Sequence, residues 1–272
     1  DLPISSSEVA NSIANPIIKA VSLTGSEQAG IAVATEAGKH LKKCVLELGG
    51  SNAFIILEDA NLDKAVAIAV NARMQNAGQS CIAAKRFLVH ENIVEEFVAK
   101  LKVAIQNLKT GNPFDKEMQI GSLARVDLAE ELEAQVQKSI QMGADLIVGG
   151  TRKEAFYEPT ILANVTTEMP VFNEETFGPV AAIITFKTIE EAIKLSNQSE
   201  FGLGVSIFTQ DIDFIKTKIS AFNEGAVFIN DMVKSDPRLP FGGIKKSGYG
   251  RELAEDGIKE FVNVKTVVIN IL

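Results

Sequence analysis

The sequence predicts an α/β fold with a parallel sheet, on three observations. Strand-like runs such as Ala53-Phe-Ile-Ile-Leu57 and Ala226-Val-Phe-Ile-Asn230 alternate with helix-like segments along the whole chain. The 272 residues are 46% hydrophobic and 23% charged, which suits a sizeable packed core and argues against general disorder. No internal repeat, low-complexity tract or long Pro/Gly/Ser linker interrupts the alternation.

The elements follow in order. Residues 17–23 read as a strand, Thr24-Gly25-Ser26 as a turn, and 27–39 as an Ala-rich helix. Residues 43–48 form a second strand closed by Gly49-Gly50, the best candidate hinge, and 53–57 form a third. Asp59 or Asn61 caps a helix over about 62–75, with Asp63 favourable in its first turn. A loop from Asn76 to Cys81 leads to a strand at 86–90. Helices fit 91–108, 125–142, 189–197 and 211–222. Extended segments fit 145–148, 159–165, 205–208 and 226–230, and a Gly-rich loop at 240–250 precedes a helix and a last strand at 266–271.

Charge and composition exclude several function classes. Lys+Arg 27 against Asp+Glu 35 gives a net charge of −8, and without a basic block the chain is a poor partner for nucleic acid or an anionic membrane. No apolar run approaches the ~20 residues of a membrane span. The start, Asp1-Leu2-Pro3-Ile4, shows no signal peptide. Two cysteines, Cys44 and Cys81, make no disulfide framework and point to a reducing, cytoplasmic setting, and two histidines, His40 and His90, argue against a His-rich metal site.

Cys81 is the sharpest chemical candidate. It sits on a loop entered from a helix and left through a strand, where backbone N–H groups can favour a thiolate nucleophile; it can equally be a small buried hydrophobe. Cys44 shares a strand face with Leu46 and Leu48 and reads as structural. Glu47, between leucines, is either a carboxyl with a raised pKa fit for a general base or a strand-end carboxylate reaching water. Thr24-Gly25-Ser26, between strand and helix, is either a phosphate cradle or an ordinary Ser N-cap, and it is not G-x-G-x-x-G. Glu174 through Pro179 places acids before Phe177, as a ribose and flat-ring site or a solvated acidic turn. Pro240 through Glu252 is a basic glycine loop for an anion or a structural turn.

Taken together, these segments resemble the aldehyde dehydrogenase superfamily over essentially the whole chain. Leu23-Thr24-Gly25-Ser26, Glu47-Leu48-Gly49-Gly50, Gly78-Gln79-Ser80-Cys81, Glu174 through Pro179 and Pro240 through Glu252 occur in the family's order, with Cys81 34 positions after Glu47 as the family separates its base and nucleophile. The stretches Lys42–Gly50, Ala83–Arg86 and Gly242–Gly248 look most like bacterial NAD(P)-dependent succinate-semialdehyde dehydrogenases. The resemblance implies an aldehyde dehydrogenase-like catalytic α/β domain at 48–250, a partial Rossmann-like cofactor domain at 1–47, and a C-terminal helix and oligomerisation strand at 251–272. It implies that Cys81 attacks the aldehyde carbon to form a thiohemiacetal, its N–H holding the oxyanion. Hydride passes to NAD or NADP, and Glu47 activates the water that hydrolyses the resulting thioester.

The resemblance also places Thr24, Gly25 and Ser26 near the pyrophosphate, Glu175 on the nicotinamide ribose and Phe177 against the nicotinamide ring. Arg73, Gln75, Ser235 and Arg238 are candidates for the distal carboxylate of succinate semialdehyde; longer relatives carry arginine where this chain has Gln75. Residues 266–271 match the strand that joins an intersubunit sheet, so a homo-oligomer, dimer or tetramer, is expected. Family members extend further at the front, with the adenosine-binding segments and an asparagine that gives the second oxyanion donor, a group worth about 2.7–4 kcal/mol. The chain therefore reads as a fragment with little or no activity alone. Two alternatives accompany this reading: a non-catalytic interaction or structural module, and a cofactor-free thiol esterase using Cys81 and Glu47.

Overall fold

The structure, a computed structural model, describes residues 4–271. The leader-free reading of residues 1–3, and residue 272 of the C-terminal segment, lie outside the described residues. The first helix, α1 (Ser6–Ala14), was not expected from the sequence. Ser5 caps it in a reciprocal box, its hydroxyl accepting from the Glu8 N–H while the Glu8 carboxylate accepts from the Ser5 N–H. Strand β1 (Ala20–Thr24) starts later than predicted, because Pro16 and Ile17 form a turn closed by Ile18 N–H on the Asn15 carbonyl. The elements α2 (Glu27–Lys39), β2 (Lys43–Glu47), β3 (Asn52–Ile56) and α3 (Leu62–Met74) match the sequence reading closely, and Asn61 rather than Asp59 caps α3.

Strand β4 (Ala84–His90) is followed by α4 (Val94–Gln106) and α5 (Val126–Gln141), and then by β5 (Asp145–Val148). A hairpin of β6 (Arg152–Lys153) and β7 (Phe156–Tyr157) precedes β8 (Thr160–Ala163) and the short α6 (Pro170–Asn173). Strand β9 (Val180–Phe186) leads to α7 (Ile189–Asn197), β10 (Phe201–Gly202) and β11 (Val205–Phe208). The helix predicted over 211–222 breaks into α8 (Ile212–Lys216) and a separate 3-10 turn. The chain ends with β12 (Val227–Ile229), β13 (Ile244–Lys245), β14 (Gly248–Tyr249) and α9 (Ala254–Lys259).

Two sheets organise the molecule. The larger has seven strands in the order β12-β11-β3-β4-β9-β8-β5, all parallel except the β5–β8 pair. Its central strands β3, β4, β9 and β11 are buried on both faces, as parallel strands covered by helices are; Phe54 stacks on Phe208 at 4.4 Å between centroids. The smaller is β1-β2-β14, with β1 and β2 parallel and Thr24 in register with Glu47. The chain crosses from one to the other through Gly49-Gly50 and returns as β14, which pairs Gly248 with Glu47. The carboxyl end of β2 therefore meets the amino ends of β3, β4, β9 and β11, and the loops entering those four strands gather at this junction.

The strand expected at 266–271 does not form. No ladder partner lies beside it among the described residues, and a strand needs one. Val264, Val267, Val268, Ile269 and Ile271 are left exposed. No helix among the described residues is long and apolar enough to cross a membrane.

Candidate active site

Glu47 closes β2 with its backbone held from both sides, by Thr24 on β1 and Gly248 on β14. Its side chain is 2% exposed, and neither carboxylate oxygen has a hydrogen-bond partner among the described residues. Burial, and then the negative charge of Glu252, push its pKa up to about 7, against the opposing pull of Arg251 and of the Gly243 backbone N–H. An orphaned buried carboxyl is costly and is kept where water or substrate completes it.

Cys81 is delivered by a strained loop. Asn76 and Ala77 both have left-handed backbone, at φ 52° and 53°, which for an alanine costs on the order of 1–3 kcal/mol. Arg73, at the end of α3, holds that conformation: its guanidinium donates to the carbonyls of Gly78 (2.6 Å) and Ala84 (3.0 Å), on either side of Cys81, and to that of Thr176 (3.5 Å). Helix α3 buries Ala65, Val66, Ala69, Ala72 and Met74, so Arg73 has no solvent face and is 1% exposed. This corrects its place among the carboxylate-binding candidates: it braces the thiol loop from inside.

Two more residues that the sequence reading passed over fix the same loop. Asn52 donates from Nδ2 to the Ile82 carbonyl at 3.0 Å and accepts from the Gly204 N–H at 3.2 Å. Lys85, on β4 and wholly buried, donates to the carbonyls of Ser80 (2.9 Å) and Cys81 (3.2 Å) and pairs with Glu175 at 3.2 Å. The only sequence signal was two consecutive cations, Lys85-Arg86, inside an otherwise apolar strand, which marks a strand buried on both faces.

The electrostatics tie these groups together. Burial pushes the Cys81 thiol up, Lys85 pulls it down, and Glu175 and Glu47 push it up again. Glu47 and Cys81, contributed by different sheets, are thus near enough to feel each other's charge. Glu175 accepts from the Gly50 N–H at 2.9 Å, while Glu174 is engaged by Gln135 at 2.9 Å. Phe177 is 38% exposed, with the Lys85 ammonium 6.0 Å from its ring centroid.

Gly50 permits the close approach of hinge and thiol loop: a Cβ there would sit 2.6 Å from the Cys81 carbonyl oxygen. Gly50→Ala should therefore displace the Cys81 backbone and slow its acylation by an activated ester on the order of 10²-fold, read in a stopped-flow burst. An unchanged burst would show that the loop absorbs the methyl group.

Thr24, Gly25 and Ser26 are exposed. Gly25 N–H donates to the Glu47 carbonyl at 3.0 Å, and Ser26 caps α2 by accepting from Ala29 N–H at 3.3 Å. The turn borders an apolar groove of about 260 Å³ between α1 and α2, lined by Val9, Ile13, Leu23, Ala29 and Val33. The glycine loop at 240–250 is a structural turn. Buried Ser247 donates to the Gly49 carbonyl at 2.7 Å and accepts from the Gly202 N–H at 3.0 Å, pinning the hinge.

Among the four carboxylate-binding candidates, Arg73 stands apart, its guanidinium turned into the interior. Arg238 is exposed with its fork on Asp236, at 2.9 and 2.6 Å; Ser235 is exposed, and Gln75 is half-buried. A hollow of about 540 Å³ at the carboxyl ends of β11 and β12 is lined by Lys64, Gln210, Asn61, which caps α3, and Asn230, which is bonded to Thr209.

The aldehyde dehydrogenase family model matches residues 2–267. The chain is 49% identical over 262 residues to an NAD(P)+-dependent succinate semialdehyde dehydrogenase of Escherichia coli, covering 95% of this chain and 57% of that protein. It is 50% identical over 260 residues to a probable NADP+-dependent succinate-semialdehyde dehydrogenase of Synechocystis, covering 94% of this chain and 57% of that one. The chain thus spans somewhat more than half the length of the curated relatives it matches. The crystal structure of a Streptococcus pyogenes succinic semialdehyde dehydrogenase with NADP+ superposes with a TM-score of 0.95 at 40% identity, over 98% of this chain and 60% of that one. An Escherichia coli lactaldehyde dehydrogenase gives a TM-score of 0.91 at 35% identity, over 95% and 55%. The fold is the mixed α/β, Rossmann-like fold of these structures, and the chain belongs to the aldehyde dehydrogenase family.

Proposed function

We propose that this chain supplies the thiol nucleophile and the general base with which an aldehyde dehydrogenase oxidises succinate semialdehyde to succinate, using NADP+ or NAD+. The observation that carries this reading is Glu47: a buried carboxyl with no side-chain partner among the described residues, at the end of one sheet and three residues before Gly50, which abuts the carbonyl of Cys81 on the loop of the other. Cys81, as thiolate, attacks the aldehyde carbon, and its own N–H stabilises the developing oxyanion. Bound NAD(P)+ supplies the acceptor for the two electrons that leave the aldehyde carbon. Cys81 then carries the acyl group as a thioester. Glu47, with a pKa near 7, takes a proton from the attacking water, and the acid departs as the thiolate is restored.

The residues on hand suit the coenzyme. The apolar groove beside Leu23 fits a flat heterocycle, the Thr24-Gly25-Ser26 turn opens α2 where a pyrophosphate is favoured, and Glu175 and Phe177 offer a hydroxyl acceptor and an exposed ring. On this reading residues 1–47 serve coenzyme binding, 48–250 catalysis and 251–272 assembly. Gln75 and Ser235 supply donors for the distal carboxylate, joined by Arg238 when it exchanges Asp236 for substrate. Both cysteines are free, and a nucleophilic thiol needs a reducing compartment, so we place the reaction in the cytoplasm.

Because the chain spans little more than half the length of its relatives, the test uses the full-length protein that carries it, mixed with NADP+ and succinate semialdehyde, with NADPH followed and adducts mapped by mass spectrometry. A succinyl group on Cys81 together with NADPH is expected. NADPH formation that is unaffected by Cys81→Ala would overturn the reading.

Assembly follows from the exposed apolar residues at 264–271, which need a strand edge from a second copy of this chain. Deleting residues 264–272 should lower the sedimentation coefficient to that of a monomer. An unchanged coefficient would assign assembly to another surface.

A further inference from the structure

Neither carboxylate oxygen of Glu47 is held by another side chain among the described residues. The carboxylate is therefore aimed by the backbone it stands on. On one side that backbone is a paired strand, with the Gly25 N–H on the Glu47 carbonyl at 3.0 Å and Gly248 opposite Glu47 on β14. On the other it runs at once into Gly49-Gly50, two residues without a Cβ to limit their dihedrals. Ser247 removes that freedom. Its carbonyl accepts from the Leu48 N–H at 3.0 Å, and its hydroxyl donates to the Gly49 carbonyl at 2.7 Å while accepting from the Gly202 N–H at 3.0 Å. Gly202 lies on β10, two residues before Gly204, whose N–H donates to the Asn52 side chain that grips the Ile82 carbonyl. One hydroxyl thus ties the sheet of the base to the segment that also anchors the thiol loop. The Ser247 side chain is fully buried, and a Cβ on Gly243 would stand 2.5 Å from its own, so the glycine loop closes tightly around it.

We propose, on the reading of Glu47 as the general base, that Ser247 is a positioning residue for the hydrolytic half of the reaction: its hydroxyl fixes the hinge so that Glu47 reaches the water beside the Cys81 acyl group. Without that hydroxyl the Gly49 carbonyl and the Gly202 N–H, both buried, lose their partner, and the hinge shifts to recover one. A base displaced by about 1 Å loses on the order of 10²-fold in rate. The thiol loop does not share the loss, because Arg73, Asn52 and Lys85 hold it through contacts that omit Ser247. A loss confined to one half-reaction separates this role from general support of the site.

The test acetylates Cys81 with p-nitrophenyl acetate in the full-length protein that carries this chain, removes excess ester, and follows loss of the acetyl group by intact mass in buffer alone and with hydroxylamine. Water needs a base to attack the thioester, and its attack releases acetate and the thiol. Hydroxylamine, a stronger nucleophile, takes the acetyl group as the hydroxamate without that base and releases the same thiol. Ser247→Ala should acetylate at the parent rate, lose the acetyl group to water about 10²-fold more slowly, and lose it to hydroxylamine at the parent rate. Clearance by water at the parent rate, or equally slowed clearance by both, would overturn the inference. Should the alanine variant fold poorly, Ser247→Cys fills the same place with a weaker S–H donor. Slower clearance by water alone is expected of it too, and parent-rate clearance would count against the inference. Glu47→Gln, measured in parallel, separates the two readings. Slow clearance there beside parent-rate clearance in Ser247→Ala overturns the role of Ser247 alone, whereas parent-rate clearance in both overturns the role of Glu47 as well.

Discussion

Cys81→Ala should abolish acylation by p-nitrophenyl acetate, down to the uncatalysed background, while Cys44→Ala should leave it unchanged. The contrast follows from where the two thiols sit. Cys81 lies on a loop braced by Arg73, Asn52 and Lys85, beside a buried carboxyl, whereas Cys44 lies on β2 next to Tyr249, away from those groups. Far-ultraviolet circular dichroism and the urea midpoint of Cys81→Ala should match the parent, because a small, half-buried side chain is removed without freeing any of the loop's backbone bonds. Burial raises the Cys81 thiol, so the parent acylation rate should climb with pH above neutrality. Acyl transfer persisting in Cys81→Ala would place the nucleophile elsewhere.

Glu47→Gln has two opposed effects. Water activation is lost, so deacylation should slow by about 10²–10⁴-fold while acylation of Cys81 persists. Stability moves the other way above neutrality. The folded-state pKa of Glu47 is raised from 4.5 to about 7, so the protonated folded form is favoured, and that contribution is fully present below pH 4.5. It is lost as pH rises to about 7, because the unfolded chain ionises freely while the folded one must bury a charge. The difference between the two states corresponds to about 3 kcal/mol. Glutamine has no such titration. Relative to the parent, Glu47→Gln should therefore gain about that much stability between pH 4.5 and pH 8, measured by urea denaturation at both. A constant difference across that range would mean that Glu47 is solvated in the folded protein.

Much of this was legible in the sequence, and the exceptions have physical causes. Helices α2 and α3 were readable from Ser26 and Asn61, whose side chains cap them. Strand β9, central to the large sheet, was passed over because Val180-Ala-Ala-Ile-Ile-Thr-Phe186 is apolar on both faces and shows no alternation. Helix α1 escaped although Ser5 and Glu8 have capping-box spacing. Residues 266–271 have strand composition, but pairing depends on a neighbour that composition does not supply.

The candidate site divides the same way. Glu47 and Cys81 were singled out for their residue type and setting, and the family's motif order joined them. Arg73, Lys85 and Asn52 were not legible as braces, since their partners are carbonyls and a carboxylate from other loops, which appear only once the chain has folded.

The central claim is that Cys81 and Glu47 act in succession on one acyl group. Intact-mass spectrometry after mixing the Glu47→Gln protein with p-nitrophenyl acetate tests it most directly. The account predicts a single acetyl group that accumulates on Cys81 and persists, where the parent shows only a transient one. Clearance of that adduct at the parent rate, or acetylation at another residue, would contradict it.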